Sequence, residues 1–199
     1  MNQLNASKTA LLIVHLQHDI VTEGTAFGTI FSAEYTARDV ITKVNAAAEH
    51  LRDRGGVVVP LRIAFAPDHS DLNPTLPLLQ MVAQAGCLKD GTEGAALVPD
   101  LTVTDSDVVI THKRPGPFTD SALADLLTER GIENVIVCGV ATNASVEGAV
   151  RQAADLGYHT VVLSDASSAA DAGAHEASLG SMGLFAAVAT VDEFTSQLS

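Results

Sequence analysis

The chain has 199 residues, 47% hydrophobic and 18% charged, with a formal net charge of −13 and no tryptophan. That length and apolar share suit one globular domain spanning residues 1–199, with a core of its own. The acidic balance argues against nucleic-acid and anionic-membrane partners, which need clustered Lys and Arg. Cys87 and Cys138 make neither a disulfide framework nor a zinc site. No apolar run approaches the roughly 20 residues of a membrane span. The opening MNQLNASKTA lacks the basic-then-apolar layout of a signal peptide, so a cytoplasmic protein is expected.

In chain order, Ala10–Val14 (ALLIV) reads as a buried parallel strand that ends in the polar cluster His15-Leu16-Gln17-His18-Asp19. A long helix is expected over 33–54, with Val40, Val44, Ala47, Ala48 and Leu51 on one face and Gly55-Gly56 stopping it. Val57–Ile63 is a second strand. Pro60 within it calls for a place where no ladder donor is needed. From 64 to 99 the pattern weakens among Pro67, Pro74 and Pro77, with a short helix over 76–85. Such a segment suits a pocket rim or a subunit contact. Residues 107–111 form a third strand, ending at His112-Lys113-Arg114. Ser121 is placed to cap a helix over 122–130.

The stretch from Asn134 to Tyr158 organises the rest. Val135–Cys138 is a short buried strand, Gly139 breaks it, and a polar turn, Ala141–Ala144, follows. Val146, Ala149, Val150 and Ala153 then recur at helical spacing, and Gly157 ends that helix. The turn sits at a helix N-terminus, where free N–H groups favour an anion or a developing oxyanion. Ser145, in the first helical turn, is the candidate nucleophile. A strand over 159–163, a helix over 171–182, a short strand over 186–189 and a last helix opened by Thr190 complete the chain. Strands alternating with helices imply an α/β fold with a mostly parallel sheet, whose ligands bind at the strands' carboxyl ends.

Four segments, ALLIVHLQHDIV, DGTEGAALVPDL, THKRPGPFTDSAL and VCGVATNASVEGAVRQAADLGYHTVVLSDA, resemble the isochorismatase-like hydrolases in order and spacing over about 10–194. The resemblance implies a Rossmann-like three-layer fold around a six-stranded, mostly parallel sheet, often in a homo-oligomer. It implies a small-molecule substrate and no organic cofactor. Amidase members of that family use an Asp–Lys–Cys triad. Carried over by position, Lys113 takes the Lys place, Ser145 the Cys place and His15 the Asp place, while Gln17 keeps the family's Gln. The peptide bond before Ala141 is often cis in the family and helps form the oxyanion hole. Gln17, Phe118, Ala141 and Asn143 are then expected around the substrate, with Phe27 or Phe31 as further walls. The metal-ligand pattern of nicotinamidases is absent at Ile63-Ala64-Phe65, so no metal is expected, and His69 reads as a loop residue.

A serine hydroxyl does not ionise usefully at a helix N-terminus, so it needs a base within hydrogen-bond reach. His15 could supply one, giving a rewritten His–Lys–Ser site that hydrolyses a C–N amide or ester bond, with activity rising through a pKa near neutrality. Three other readings fit the same residues. One is vinyl-ether hydrolysis by proton transfer from His15, as isochorismatase proper uses its Asp. Another is a catalytically silent binding or scaffolding homologue. The third is a Ser145 substituted to trap a complex, which leaves His15 unexplained.

Overall fold

The structure, a computed structural model, describes residues 3–199. Six strands, β1 (Thr9–Val14), β2 (Val57–Ile63), β3 (Ile110–His112), β4 (Asn134–Val140), β5 (His159–Ser168) and β6 (Ala187–Ala189), form one parallel sheet in the order β3-β2-β1-β4-β5-β6. Eight helices accompany them among the described residues. These are α1 (His18–Val21), α2 (Gly28–Ala37), α3 (Val40–Arg52), α4 (Pro77–Ala85), α5 (Leu123–Glu129), α6 (Glu147–Asp155), α7 (Ala172–Met182) and α8 (Val191–Gln197). None is long and apolar enough to cross a membrane.

The strand period of two explains the three layers. In β1, Leu11 and Ile13 face one side, where they join Val44, Ala47, Ala48 and Leu51 of α3. Ala10, Leu12 and Val14 face the other, with Leu123 and Leu127 of α5 and Ala149, Val150 and Ala153 of α6. Every residue of β1 is buried, as expected of a central parallel strand covered on both faces.

Local chemistry sets the ends. Pro77 opens α4 at a position where a missing N–H costs nothing. Ser121 Oγ accepts from the Leu123 N–H, Asp171 Oδ1 from the Ala174 N–H, and Thr190 forms a capping box with Glu193. Pro60 lies in an interior strand. Its neighbours Val58 and Leu61 direct their carbonyls to Val108 and His15 respectively, so position 60 faces the β3 side before the β3 ladder begins at Leu61–Ile110.

Several sequence expectations need correction: β4 runs through Gly139 to Val140 instead of breaking there, and β5 runs on to Ser168 instead of ending at 163. The single helix over 33–54 is two helices, α2 and α3, broken at Arg38–Asp39. Asp39 takes a left-handed conformation (φ 51°). Arg38 turns in to donate from Nε to the Ser167 carbonyl and from Nη2 to the Ser164 carbonyl and to His175 Nε2. Tertiary hydrogen bonds at the end of β5 thus override a continuous helical pattern. The third strand is short and shifted, Ile110–His112 rather than 107–111, because β2 offers it only Leu61–Ile63 as partners.

Candidate active site

The sheet order reverses between β1 and β4, and ligands of such sheets bind outside the strand ends at that point. His15 follows β1 there and Ser145 follows β4. The two strands approach closely at Gly139, which has φ +115°. A Cβ on it would lie 2.2 Å from the Val14 carbonyl oxygen, so only glycine fits. Beyond it the Val140–Ala141 peptide is cis, and Thr142–Val146 form a wide turn of π-helix leading into α6. Ser145 lies in that turn with 4% of its surface exposed.

His15 is also 4% exposed and has φ 53°. Its ring crosses the end of β2 and stacks on His112, with centroids 4.9 Å apart and Nε2 atoms 2.9 Å apart. The far nitrogen of His112, Nδ1, lies 2.7 Å from the Arg114 carbonyl oxygen. A carbonyl only accepts, so His112 Nδ1 carries the proton and its Nε2 accepts. His15 must then donate from Nε2, which leaves His15 Nδ1 as an unprotonated base. That assignment requires two neutral rings. Burial, with His112 beside it, holds His15 well below the ordinary histidine range, and burial takes His112 down to about 4. Both rings are neutral at pH 7, so His15 is a base there and not an acid. Burial thus sets His15 below the near-neutral pKa expected from the sequence.

His15 and Ser145 line one cavity of about 40 Å³, open to solvent on one side. They are its only polar side chains among the described residues. Ala141, Phe27 and Phe31 belong to its wall, as do Leu78, Leu79 and Val82 of α4. His15 spends its hydrogen bond on His112, not on Ser145.

Four other candidates from sequence do not meet there. Lys113 points away, half-exposed and ion-paired with Asp71. The burial of β3 alternates, Ile110 in, Thr111 out, His112 in, so Lys113 falls on the outward phase. His112, not Lys113, is the residue of this strand end that contacts His15. Gln17 is fully buried, but both ends of its amide are consumed. Nε2 donates to the Ile63 and Ala95 carbonyls, and Oε1 accepts from the Ile63 N–H. It braces the β1 and β2 ends and lines no cavity. Phe118 packs on the opposite face of the sheet, stacked on Tyr158 at 6.3 Å. Asn143 is exposed on the outer side of the turn. His69 bonds the Cys87 carbonyl as a loop residue, and no three His, Cys, Asp or Glu side chains among the described residues are grouped to hold a metal ion.

The Isochorismatase domain model matches residues 9–193. The chain belongs to the isochorismatase family. It is 31% identical over 181 residues to an uncharacterized isochorismatase family protein, YwoC of Bacillus subtilis, covering 90% of this chain and 88% of that one. It is 29% identical over 175 residues to the ureidoacrylate amidohydrolase RutB of Stutzerimonas stutzeri, covering 82% and 71%. The crystal structure of a cysteine hydrolase from Pseudomonas syringae pv. phaseolicola superposes with a TM-score of 0.89 at 22% identity, covering 99% and 95%. Neither cysteine of this isochorismatase-family chain offers an alternative thiol. Both are buried, and burial pushes both up, Cys87 to about 11.

A bracing network behind the turn went unread in the sequence. Arg38 can only donate, so His175 Nε2 accepts from it, and His175 Nδ1 donates to Thr142 Oγ1 at 2.8 Å. Ser178 Oγ lies 3.1 Å from the Thr142 carbonyl and 2.6 Å from Glu147 Oε2. Side chains from the α2–α3 break, α6 and α7 thereby hold the turn that carries Ser145. His112 had a readable signal in the alternation of β3. His175, a lone histidine in an unremarkable helix, had none.

Proposed function

We propose that this chain hydrolyses a small ester or amide by acyl transfer to Ser145, with His15 as general base. Ser145 Oγ attacks the carbonyl carbon while its proton passes to His15 Nδ1. Backbone N–H groups at Ala141 and Ser145 hold the oxyanion. The C–O or C–N bond then breaks, and the leaving group takes the proton from His15. Water, deprotonated by His15, cleaves the acyl-serine and returns the hydroxyl proton. While His15 is cationic, His112 Nε2 accepts a charge-assisted hydrogen bond from it. The missing His15–Ser145 hydrogen bond is compatible with this, since catalytic contacts in substrate-free sites are often long and tighten when substrate is bound.

One observation carries the reading. The two polar side chains of an otherwise apolar cavity are a hydroxyl and a neutral histidine whose proton is committed to the far side. The same observation weighs against protonation of a vinyl ether, because His15 has no acidic proton to give at neutral pH. Treatment with an alkyl fluorophosphonate, followed by intact mass measurement, tests it. One adduct is expected, absent in Ser145→Ala and strongly slowed in His15→Ala. No adduct on the unsubstituted protein would overturn the acyl-serine route.

A further inference from the structure

Resting on that reading, we propose that the acyl group entering the cavity is uncharged and apolar, so the substrate is a neutral ester or amide of a small aliphatic or aromatic acid. Thirteen residues line the cavity, and eleven of them have apolar side chains; His15 and Ser145 are the other two. The lining has no charged side chain to pair with the carboxylate, ammonium or phosphate of a charged substrate. Three cations of the strand ends and the α2–α3 break are committed elsewhere. Arg38 holds the Ser164 and Ser167 carbonyls and His175, Arg62 pairs with Asp90, and Lys113 pairs with Asp71. A charge placed against this wall would lose its water with no partner in exchange.

The wall is preformed. Leu79, Val82 and Leu88 are buried, and Phe27 and Phe31 stack at 6.5 Å with an interplanar angle of 15°. Leu78 and Phe31, half-buried, belong to the rim. The cavity itself is small, about 40 Å³, so only a small acyl group fits it without the wall giving way.

Hydrolysis of p-nitrophenyl acetate, propionate, butyrate, pentanoate and hexanoate would test the proposal. Each added methylene should raise kcat/KM about fourfold until the cavity is filled. The anionic p-nitrophenyl hemisuccinate, close in length to the pentanoate, should be slower by about a hundredfold or more. Leu78→Lys supplies a cation at the rim and should narrow that gap at least tenfold. Calorimetry with hexanamide and its ω-carboxylate separates this proposal from the acyl-serine mechanism, because it needs no turnover. Only the neutral amide should bind. A flat chain-length series, or preference for the anion in either assay, would overturn the substrate class even if Ser145 takes the fluorophosphonate. Conversely, selective binding of hexanamide without a fluorophosphonate adduct would keep the substrate class and sink the mechanism.

Discussion

Replacing His112 by phenylalanine tests the buried histidine pair through stability alone. His112 titrates at the ordinary 6.5 in the unfolded chain and at about 4 in the fold. Its folded pKa is depressed, so between those values the unfolded chain binds more protons, and stability falls as pH falls. From 6.5 to 5.0 is roughly 1.5 pH units at about 1.4 kcal/mol each, so His112 alone removes about 2 kcal/mol by pH 5. The phenylalanine variant has no such group. At pH 7.5 it should be less stable by about 1–3 kcal/mol, because the buried His15 Nε2–H loses its acceptor. At pH 5.0 that gap should shrink by about 2 kcal/mol. Asp71, Asp90 and Glu147, whose carboxyls are held low by hydrogen bonds and charge pairing, are common to both proteins and cancel in the difference. Urea unfolding at the two pH values measures the gap, with m-values confirming an unchanged two-state transition. A gap that stays constant would mean that His112 titrates like a solvated histidine, and the tautomer argument for His15 would fall with it.

Three further outcomes follow from the same geometry. Lys113→Ala should leave kcat/KM for a neutral p-nitrophenyl ester within about twofold and cost roughly 1 kcal/mol or less in urea unfolding, because its half-exposed ion pair with Asp71 lies outside the cavity. Gly139→Ala combines φ +115° with a 2.2 Å clash against Val14 and should cost more than about 4 kcal/mol, read as loss of soluble protein or a lowered thermal midpoint. The pH profile of kcat/KM should stay flat through neutrality and fall only well below 6.5, since His15 must be neutral to accept the serine proton and burial depresses its pKa. An inflection at or above 6.5 would contradict a buried His15.

What the sequence disclosed follows from what each pattern encodes. Continuous apolar runs marked β1, β2 and β4, and helical stripes marked α3, α5 and α6, because burial on one or two faces leaves a period in the chain. The strand–turn–helix around Ser145 was legible for the same reason, together with its glycines. Side-chain direction at the end of a three-residue strand depends on where the strand begins. The resemblance puts the family's Lys at Lys113, whereas the alternation of the three-residue β3 turns His112 inward. Gln17 enters through the resemblance, and its bracing role is not legible because its partners, Ile63 and Ala95, lie 46 and 78 residues away. Phe118 enters through the resemblance and Asn143 as a polar residue at a strand end, whereas Phe118 packs on the other face of the sheet and Asn143 is exposed. The break at Arg38–Asp39 was invisible for the same reason as His175. Its causes are carbonyl groups on β5, more than 120 residues further along the chain.

The central claim is that Ser145 carries the acyl group and His15 moves its proton. Stopped-flow release of p-nitrophenol from the butyrate ester, with acid quench and peptide mapping, addresses it directly. A burst approaching one equivalent per chain, with the butyryl group on the peptide containing Ser145 and no burst in Ser145→Ala, is the predicted result. Steady turnover without a burst, undiminished in Ser145→Ala, would contradict the claim and place the chemistry in direct attack by water.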